Sequence, residues 1–331
     1  MTVLVAPDSF KGTYTAEQVA AAVAEGVAAG GEAAVQLPVA DGGEGTYAAL
    51  CRGMLARPVP VEVLNPWGAP AAAEIGLTAD GTAIVELAQA SGIALPHAGD
   101  RDPVSASTYG TGMMIAAAVR HGATRILVAA GGSATTDGGA GAVRAIQEAG
   151  GLRGAALTVL SDVTTPFEDA ARVFGPQKGA DPATVERLEE RLRTLAAGYP
   201  RNPCGIARTG AAGGFAGGLW ANFGAELVSG ADAVLDAVGF DEALAAAAAV
   251  AVGEGRLDSQ TGEGKIISAI LRRVAGSGRN IPVFAVVGSV AEDLGGYRSN
   301  FADVLIATDR PAMRRAGEAI AAVAKVPAVN R

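Results

Sequence analysis

The sequence predicts an α/β protein with more than one domain. Its 331 residues exceed the usual size of a single domain, and 50% of them are hydrophobic, which is enough apolar material for a large core. Aromatic residues make up only 5% of the chain whereas glycine occurs 46 times, a composition that suits helices packed closely on sheets. Short apolar runs that end in glycine-rich segments recur along the chain, as they do in open α/β sheets.

The first predicted element is a strand over residues 3–6, which ends at Pro7. Residues 15–18 then have the Ser/Thr-to-acid spacing that opens a helix. The apolar pattern recurs at residues 126–130, 250–252 and 283–287, each time before a glycine-rich segment that we expect to be a loop. Because open α/β sheets bind ligands beyond the carboxyl ends of their strands, we expect the chemistry in these loops.

Prolines punctuate residues 58–87, where short strand-like pieces such as residues 59–64 and 82–87 alternate with turns. This change of pattern indicates that a second domain starts near Pro58. Towards the end of the chain, residues 304–308 predict one more buried strand. Residues 313–326 predict a closing helix that covers the sheet.

Charge and composition exclude several classes of protein. A net charge of −8 and a pI of about 4.9 argue against a nucleic-acid partner, which would require clustered Lys and Arg. The N-terminus has no basic region and only a short apolar run, and the alanine-rich residues 243–251 are too few to cross a bilayer. We therefore expect a cytoplasmic protein without a membrane partner. The alanine-rich face of residues 19–27 leaves a homodimer open.

The motifs of several common enzyme classes are missing from the sequence. Cys51 and Cys204 lie too far apart for a local zinc or redox motif. Lys265 follows a glycine but lacks the rest of a P-loop, and there is no G-x-G-x-x-G. Without a G-x-S-x-G elbow or a histidine in a glycine-rich loop, a Ser-His-Asp hydrolase is a poor candidate.

The glycine-rich segments instead offer what phosphoryl transfer needs, namely an anion cradle, cations and carboxylates for Mg²⁺ and for the attacking hydroxyl. Residues 131–141 combine backbone N–H groups, hydroxyls and a carboxylate, which predicts a phosphate cradle. Residues 41–46 place two carboxylates in a glycine-rich loop, although an ordinary tight turn is the alternative. Residues 253–259 and 8–12 add acids and cations, with a solvated loop and a loop cap as their alternatives.

We predict the following roles for residues of these segments and for three residues outside them, Asp162, Lys178 and Lys265. Candidate catalytic residues are Asp8, Lys11, Asp41, Asp137, Asp162 and Lys265. Candidate substrate-binding residues are Ser9, Lys178 and Arg256, and candidate Mg²⁺ ligands are Glu44, Glu254 and Asp258. Candidate nucleotide-binding residues are Gly131, Gly132, Ser133, Thr135, Gly138, Gly139 and Gly255. Asp8, Asp41, Asp137 and Asp162 compete for the role of base, and the sequence does not choose between them.

Taken together, the segments resemble the bacterial glycerate kinase type I family. Residues 6–12, 40–46, 131–139, 174–180 and 253–260 appear in the order of that family, and the match extends from residue 3 to about residue 308. The resemblance implies an ATP- and Mg²⁺-dependent kinase that phosphorylates D-glycerate, with 2-phosphoglycerate the favoured product.

The resemblance also implies an architecture. A flavodoxin-like three-layer domain, residues 1–58 and 225–331, carries an inserted α/β domain, residues 59–224, that is similar to a restriction-endonuclease core. In this family the substrate lies between the domains.

The chain departs from the family pattern at several positions. Thr136 stands where Asn usually precedes the Asp, and Met113 stands where an acid is common. Residues 165–167 replace the usual Asn-Pro-Leu, and the segments near residues 151–157 and before Phe174 are short. These departures leave two alternatives open: a kinase for another small hydroxy acid or polyol, and a non-catalytic sensor that binds a hydroxy acid or nucleotide.

Overall fold

The computed structural model describes residues 1–43, 45–97, 99, 101–258 and 266–324. In chain order the strands are β1 (Thr2–Pro7), β2 (Ala33–Gln36), β3 (Arg57–Leu64), β4 (Pro70–Leu77), β5 (Thr82–Glu86), β6 (Arg125–Ala129), β7 (Ala156–Leu160), β8 (Glu226–Val228), β9 (Ala249–Leu257), β10 (Val283–Val290) and β11 (Asp303–Ile306). The helices are α1 (Ala16–Ala29), α2 (Thr46–Gly53), α3 (Ala88–Ser91), α4 (Tyr109–Arg120), α5 (Ala140–Glu148), α6 (Ala170–Phe174), α7 (Pro182–Gly198), α8 (Phe215–Phe223), α9 (Gly230–Ala237), α10 (Phe240–Ala246), α11 (Ile266–Gly276) and α12 (Arg310–Ala324).

The chain forms two compact units. The discontinuous unit contains Met1–Asp41 and Ala231–Arg331, and the continuous unit is Gly42–Gly230. The bounds predicted from sequence, at residues 58 and 225, lie inside the continuous unit. Helix α2 precedes the prolines but contacts β4 and β5, which is a tertiary relation that the proline pattern does not reveal. The α/β class predicted from composition and apolar pattern is confirmed.

A five-stranded parallel sheet in the order β11-β10-β9-β1-β2 forms the centre of the discontinuous unit. Because side chains alternate along a strand, Val3 and Val5 of β1 lie on one face, where they join a core with residues of α1 and α12. Leu4, between them, is also fully buried and so lies on the other, covered face. Burial on both faces is the usual environment of a parallel sheet.

Helix α1 begins where the sequence predicts. The side chain of Thr15 accepts a hydrogen bond from the backbone N–H of Gln18, and the Gln18 side chain accepts one from the backbone N–H of Thr15, which is a capping box. Glycines then let α1 approach α12 closely. A Cβ at Gly26 would lie 1.9 Å from the carbonyl oxygen of Arg314, and one at Gly317 would lie 2.1 Å from that of Val23.

The continuous unit has a six-stranded mixed sheet in the order β3-β4-β5-β6-β7-β8. Strands β3, β4 and β5 pair antiparallel, whereas β5 to β8 are parallel. Its core contains large side chains from strands and helices alike, including Ile75, Met114, Ile115 and Phe215. Since parallel strands point the same way, the segments that follow β6, β7 and β8 leave the sheet at one edge.

One predicted loop is wrong. Residues 253–257 form the end of β9, where Gly253 pairs with Pro7 of β1 and Arg256 pairs with Ser289 of β10. Glycine is tolerated here because the neighbouring strand comes close: a Cβ at Gly253 would lie 2.9 Å from the carbonyl oxygen of Val286. Gly288 and Ser289 likewise belong to β10. Among the described residues no helix is both long and apolar enough to cross a bilayer.

Candidate active site

The carboxyl ends of β1, β9 and β10 open onto a cavity of about 530 Å³ in the discontinuous unit. The predicted site residues that line it are Asp8, Ser9, Lys11, Asp41, Glu254, Gly255, Arg256 and Asp258. They come from segments far apart in sequence, and the parallel order of the strands brings them together. Lys11 and Arg256 are exposed cations at this cavity.

Asp8 is the first residue after β1 and is only 6% exposed. Its backbone N–H donates to the carbonyl oxygen of Gly253 at 2.8 Å, and its Oδ1 accepts from the backbone N–H of Ser9 at 2.6 Å. Burial, and next the neighbouring carboxylate of Asp41, raise the pKa of Asp8 to about 7, while the Ser9 N–H and the Lys11 ammonium oppose the rise. A carboxyl group with this pKa exchanges its proton near neutral pH.

The segment that follows Asp8 lies close against β9. A Cβ at Gly255 would lie 3.4 Å from the Cα of Phe10, so glycine leaves room for this segment. Phe10 is buried, and its backbone bridges to Tyr14 and closes the turn. The hydroxyl of Ser9 is buried and makes no well-formed hydrogen bond among the described residues, although it is near enough to Asp8 to oppose the rise of that pKa. A buried hydroxyl in this position is available to a ligand.

The donor set of this cavity fits a hard cation such as Mg²⁺. Carboxylates of Asp8, Asp41, Glu254 and Asp258 line it. Within the described part of the chain, no cluster of at least three His, Cys, Asp or Glu side chains is arranged to hold a metal. Mg²⁺ usually takes one or two protein carboxylates and completes its shell with water and substrate phosphates. The carboxylates of this cavity therefore suit a Mg²⁺ ion that is bound together with a nucleotide. Glu44, another predicted ligand, lies outside the described residues.

A second polar cluster lies in the continuous unit, where β6, β7 and β8 end. Two of the predicted glycine-rich segments meet there, since a Cβ at Gly131 would lie only 2.4 Å from the Cα of Gly43. A Cβ at Gly42 would lie 3.7 Å from the carbonyl oxygen of Leu160, the last residue of β7. Asp162 follows β7, and its Oδ1 accepts a hydrogen bond from the hydroxyl of Ser229 at 2.8 Å.

Lys178 is the buried cation of this cluster, with 7% of its surface exposed. Its Nζ donates to the hydroxyl of Ser133 at 2.8 Å and to the carbonyl oxygen of Thr135 at 2.6 Å. Burial lowers the pKa of Lys178 to about 7, although the carboxylate of Asp137 acts in the opposite direction. The hydroxyls of Thr135 and Thr136 are buried without hydrogen-bond partners among the described residues.

Asp137 is fully buried, and both of its carboxylate oxygens are occupied. Oδ2 accepts from the backbone N–H and the hydroxyl of Thr108, both at 2.8 Å, and from the N–H of Gly141 at 3.1 Å. Oδ1 accepts from the N–H of Gly139 at 3.1 Å. These contacts tie the start of α4 to the start of α5. They are the contacts of a residue that organises the loop, and the catalytic role predicted for Asp137 stays a prediction.

Gly138 and Gly139 lie at positions where the backbone conformation and close neighbours both favour glycine. Both have positive φ, 62° and 78°, a conformation that glycine adopts more easily than other residues. A Cβ at Gly138 would lie 2.9 Å from a methyl group of Leu195, and one at Gly139 would lie 2.9 Å from the carbonyl oxygen of Phe215. The nucleotide-binding role predicted for these two glycines stays a prediction, while Gly131, Gly132 and Ser133 lie at the strand edge.

Comparison with known proteins identifies the chain. The sequence profile of the glycerate kinase family matches residues 3–150 and 147–325. The chain belongs to the glycerate kinase family. A glycerate kinase from Bacillus subtilis (strain 168) is 36% identical over 88% of this chain and 86% of that protein. A glycerate 2-kinase from Escherichia coli (strain K12) is 35% identical over 89% and 87%.

A solved structure agrees with this assignment. The crystal structure of a provisional glycerate kinase 2 from Salmonella typhimurium LT2 superposes with a TM-score of 0.83, at 33% identity and over 98% of both chains. The resemblance predicted from the motifs is thereby confirmed, and so is the prediction that the chain is an enzyme of this family.

In this member of the glycerate kinase family, a further arginine near the edge of the sheet lies outside the predicted motifs. Arg208 lies in the continuous unit, and its Nη1 donates a hydrogen bond to the carbonyl oxygen of Ser161, beside Asp162. In the sequence, only its position just before the glycine-rich residues 210–214 could have pointed to Arg208. Lys265, the remaining predicted catalytic residue, lies outside the described residues.

Proposed function

We propose that this protein transfers the γ-phosphoryl group of ATP to a hydroxyl of D-glycerate, with 2-phosphoglycerate as the favoured product. Membership of the glycerate kinase family supports the reaction class. The observation that carries the proposal is the position of Asp8: a buried carboxyl group with a pKa of about 7, in a cavity that Lys11 and Arg256 also line. Phosphoryl transfer to an alcohol needs a carboxylate near the attacking hydroxyl and cations near the transferred charge.

Asp8 is our candidate for the group that orients the acceptor hydroxyl and takes its proton. A general base works best when its pKa is near the working pH, because it is then both deprotonated and basic enough. Asp41 contributes by repulsion, since its carboxylate makes ionisation of Asp8 harder. The predictions for Asp41 and Asp162 stay open, whereas the carboxylate of Asp137 accepts hydrogen bonds from Thr108 and from its own loop.

The cations are proposed to balance the charge that develops on the phosphoryl oxygens. Lys11 and Arg256 line the cavity, where their positive charges would act on the phosphoryl oxygens. Glu254 and Asp258 line the cavity and are the residues that would hold Mg²⁺ there. When bound, Mg²⁺ supplies charge neutralisation to the nucleotide phosphates. In the continuous unit we keep the predicted roles, with Lys178 as a substrate-binding residue and Gly131, Gly132, Ser133 and Thr135 as nucleotide-binding residues.

We propose in addition that the discontinuous unit is a flavodoxin-like domain. Counted within the unit, its strands have the order 2-1-3-4-5, which is the flavodoxin order and supports this proposal. That the continuous unit is similar to a restriction-endonuclease core rests on the family resemblance alone.

The test is an ADP-release assay with D-glycerate, L-glycerate and related hydroxy acids as acceptors, followed by separation of the phosphoglycerate isomers. We expect ADP release that depends on D-glycerate and a product that is mainly 2-phosphoglycerate. If D-glycerate supports no ADP release, the proposal is wrong. Turnover with another hydroxy acid or polyol would identify a different acceptor, and ligand binding without any turnover would indicate a sensor.

A further inference from the structure

Arg208 lies at the edge of the sheet in the continuous unit and has no anionic partner among the residues that the structure describes. Its side chain is half-buried, and its Nη1 donates to the carbonyl oxygen of Ser161 at the end of β7. Its backbone N–H donates to the carbonyl oxygen of Thr164 at 3.2 Å. Within the described ranges, no carboxylate lies within ion-pair distance of its guanidinium group. A half-buried charge normally has such a partner, so a ligand can fill this role.

The backbone of Arg208 has a conformation that is uncommon for an arginine. Its φ is 72°, in the left-handed region that residues with a Cβ seldom adopt. Glycine would adopt this conformation more easily, and the chain uses glycine at many other positions of positive φ. Leu55, Arg153 and Ala212 also have positive φ, so this conformation alone assigns no role. A role for Arg208 rests instead on its side chain and the contact with Ser161.

Several segments meet around Arg208. A Cβ at Gly42 would lie 3.8 Å from the Cα of Ser161, whose carbonyl oxygen Arg208 binds. After Arg208 the chain passes the loop held by Lys178, because a Cβ at Gly213 would lie 2.0 Å from the carbonyl oxygen of Thr135, which accepts a hydrogen bond from Lys178. This is the carboxyl edge of parallel strands, where open α/β sheets bind their ligands.

We propose that Arg208 binds an oxyanion of a substrate at this edge, either the carboxylate of the hydroxy acid or a phosphate of the nucleotide. A guanidinium group has five N–H donors in a planar fork that matches both oxyanions. One donor is used on Ser161, and the others remain for a two-point contact. This proposal rests on the proposed function, and it adds a binding residue that the motifs did not indicate.

The test compares Arg208→Gly and Arg208→Lys with the wild-type enzyme. Glycine removes the guanidinium group and relaxes the backbone, so we expect the melting temperature of Arg208→Gly to stay level or rise. We expect KM for one substrate to rise on the order of 10- to 100-fold, the usual effect of losing a charge-assisted hydrogen bond, and KM for the other to change by less than about 2-fold. A rise for D-glycerate identifies a carboxylate contact, and a rise for ATP identifies a phosphate contact.

Two further arms separate binding from structure. Arg208→Lys keeps the charge but not the fork, so it should recover only part of the affinity. Guanidinium ion added to Arg208→Gly should lower the raised KM again, because it can occupy the space that the side chain left.

Arg153 provides a matched control. It is an exposed arginine with φ of 50°, and it precedes β7, at the opposite edge of the same sheet. Arg153→Gly makes the same chemical change and the same relaxation of the backbone away from the proposed contact. Both KM values should stay unchanged in this variant.

Unchanged KM values for both substrates in Arg208→Gly would overturn the proposal, as would a loss of activity that only follows a fall in melting temperature. If the wild-type enzyme shows no turnover with D-glycerate, the proposed function fails first. Calorimetric titration of D-glycerate and ATP into wild type and Arg208→Gly then decides the role of Arg208 separately. Equal affinities in the two proteins, or no binding to either, would refute the role of Arg208.

Discussion

At the scale of single residues, burial sets the chemistry of two groups in opposite directions. It disfavours the charged form of each, so the pKa of Asp8 rises and that of Lys178 falls, both to about 7. Residue type and spacing predicted that both belong to a site. Burial is a tertiary property, and so the sequence could not rank Asp8 above Asp137 as the candidate base.

Replacing Asp8 by Asn should lower turnover by at least roughly 100-fold, because the proton acceptor is lost while the shape is kept. In the wild-type enzyme kcat/KM should rise as pH increases through about 7, where Asp8 ionises, and Asp8→Asn should lose this limb of the profile. Steady-state kinetics between pH 5.5 and about 9 would check both effects. Asp80→Asn is the control, since Asp80 is exposed in the turn before β5.

The same substitution should stabilise the protein at higher pH. The folded pKa of Asp8 lies above its ordinary value of 3.8, so the folded state holds more protons between these values and loses stability as pH rises to about 7. Asp8→Asn avoids this loss. Its melting temperature should therefore exceed that of wild type at pH 8 by roughly 2 °C or more, and not at pH 4. An equal or lower melting temperature at pH 8 would contradict the burial argument.

Lys178→Met should change the pH dependence of stability with the opposite sign. The folded pKa of Lys178, about 7, lies below its ordinary value of 10.5, so the unfolded chain binds more protons between these values. Wild type should gain stability across this range by up to about 1.4 kcal/mol per pH unit from this residue, and the variant should lack this part. Melting temperatures of both proteins at pH 6.5, 8 and about 9.5 measure this contribution of Lys178. If the two proteins show the same pH dependence, Lys178 makes no such contribution.

At the scale of elements, the contacts of Asp137 connect two helix starts. Asp137→Ala should lower the free energy of unfolding by at least about 3 kcal/mol, because several buried donors lose their acceptor. Thr108→Val should also destabilise the protein, and Thr108→Ser, which keeps the hydroxyl, should stay close to wild type. Denaturant titration measures all three. A stable Asp137→Ala protein that lacks only turnover would restore the catalytic role predicted for Asp137.

The helix pair α1 and α12 gives a prediction about glycine. Gly26→Ala should cost about 1–3 kcal/mol, because the added methyl group would meet the backbone of α12 at Arg314. Gly276→Ala is the matched control, since that helical glycine has open space around it. It should be neutral or stabilising by up to about 1 kcal/mol. Equal effects at the two positions would show that α1 and α12 do not need this close approach.

At the scale of the whole molecule, the continuous unit is an unbroken stretch of chain with its own sheet and core. We expect a fragment of residues 42–230 to fold alone and to melt cooperatively, measured by circular dichroism. A fragment with the bounds predicted from sequence, residues 59–224, lacks α2 and β8 and should melt at a lower temperature or not cooperatively. If the shorter fragment is the more stable one, the bounds predicted from sequence are the better ones.

The sequence by itself determined the α/β class, the capped start of α1, the strand segments and the family, because apolar periodicity, capping residues and motif order are local properties of the chain. It did not determine that residues 253–257 continue β9, because glycine predicts a loop unless the close approach of a neighbouring strand is known. A Cβ at Gly253 would lie 2.9 Å from the carbonyl oxygen of Val286. Nor did the sequence indicate the role that we propose for Arg208 or the occupied carboxylate of Asp137. Those roles depend on burial and on partners distant in sequence, which only the tertiary structure brings together.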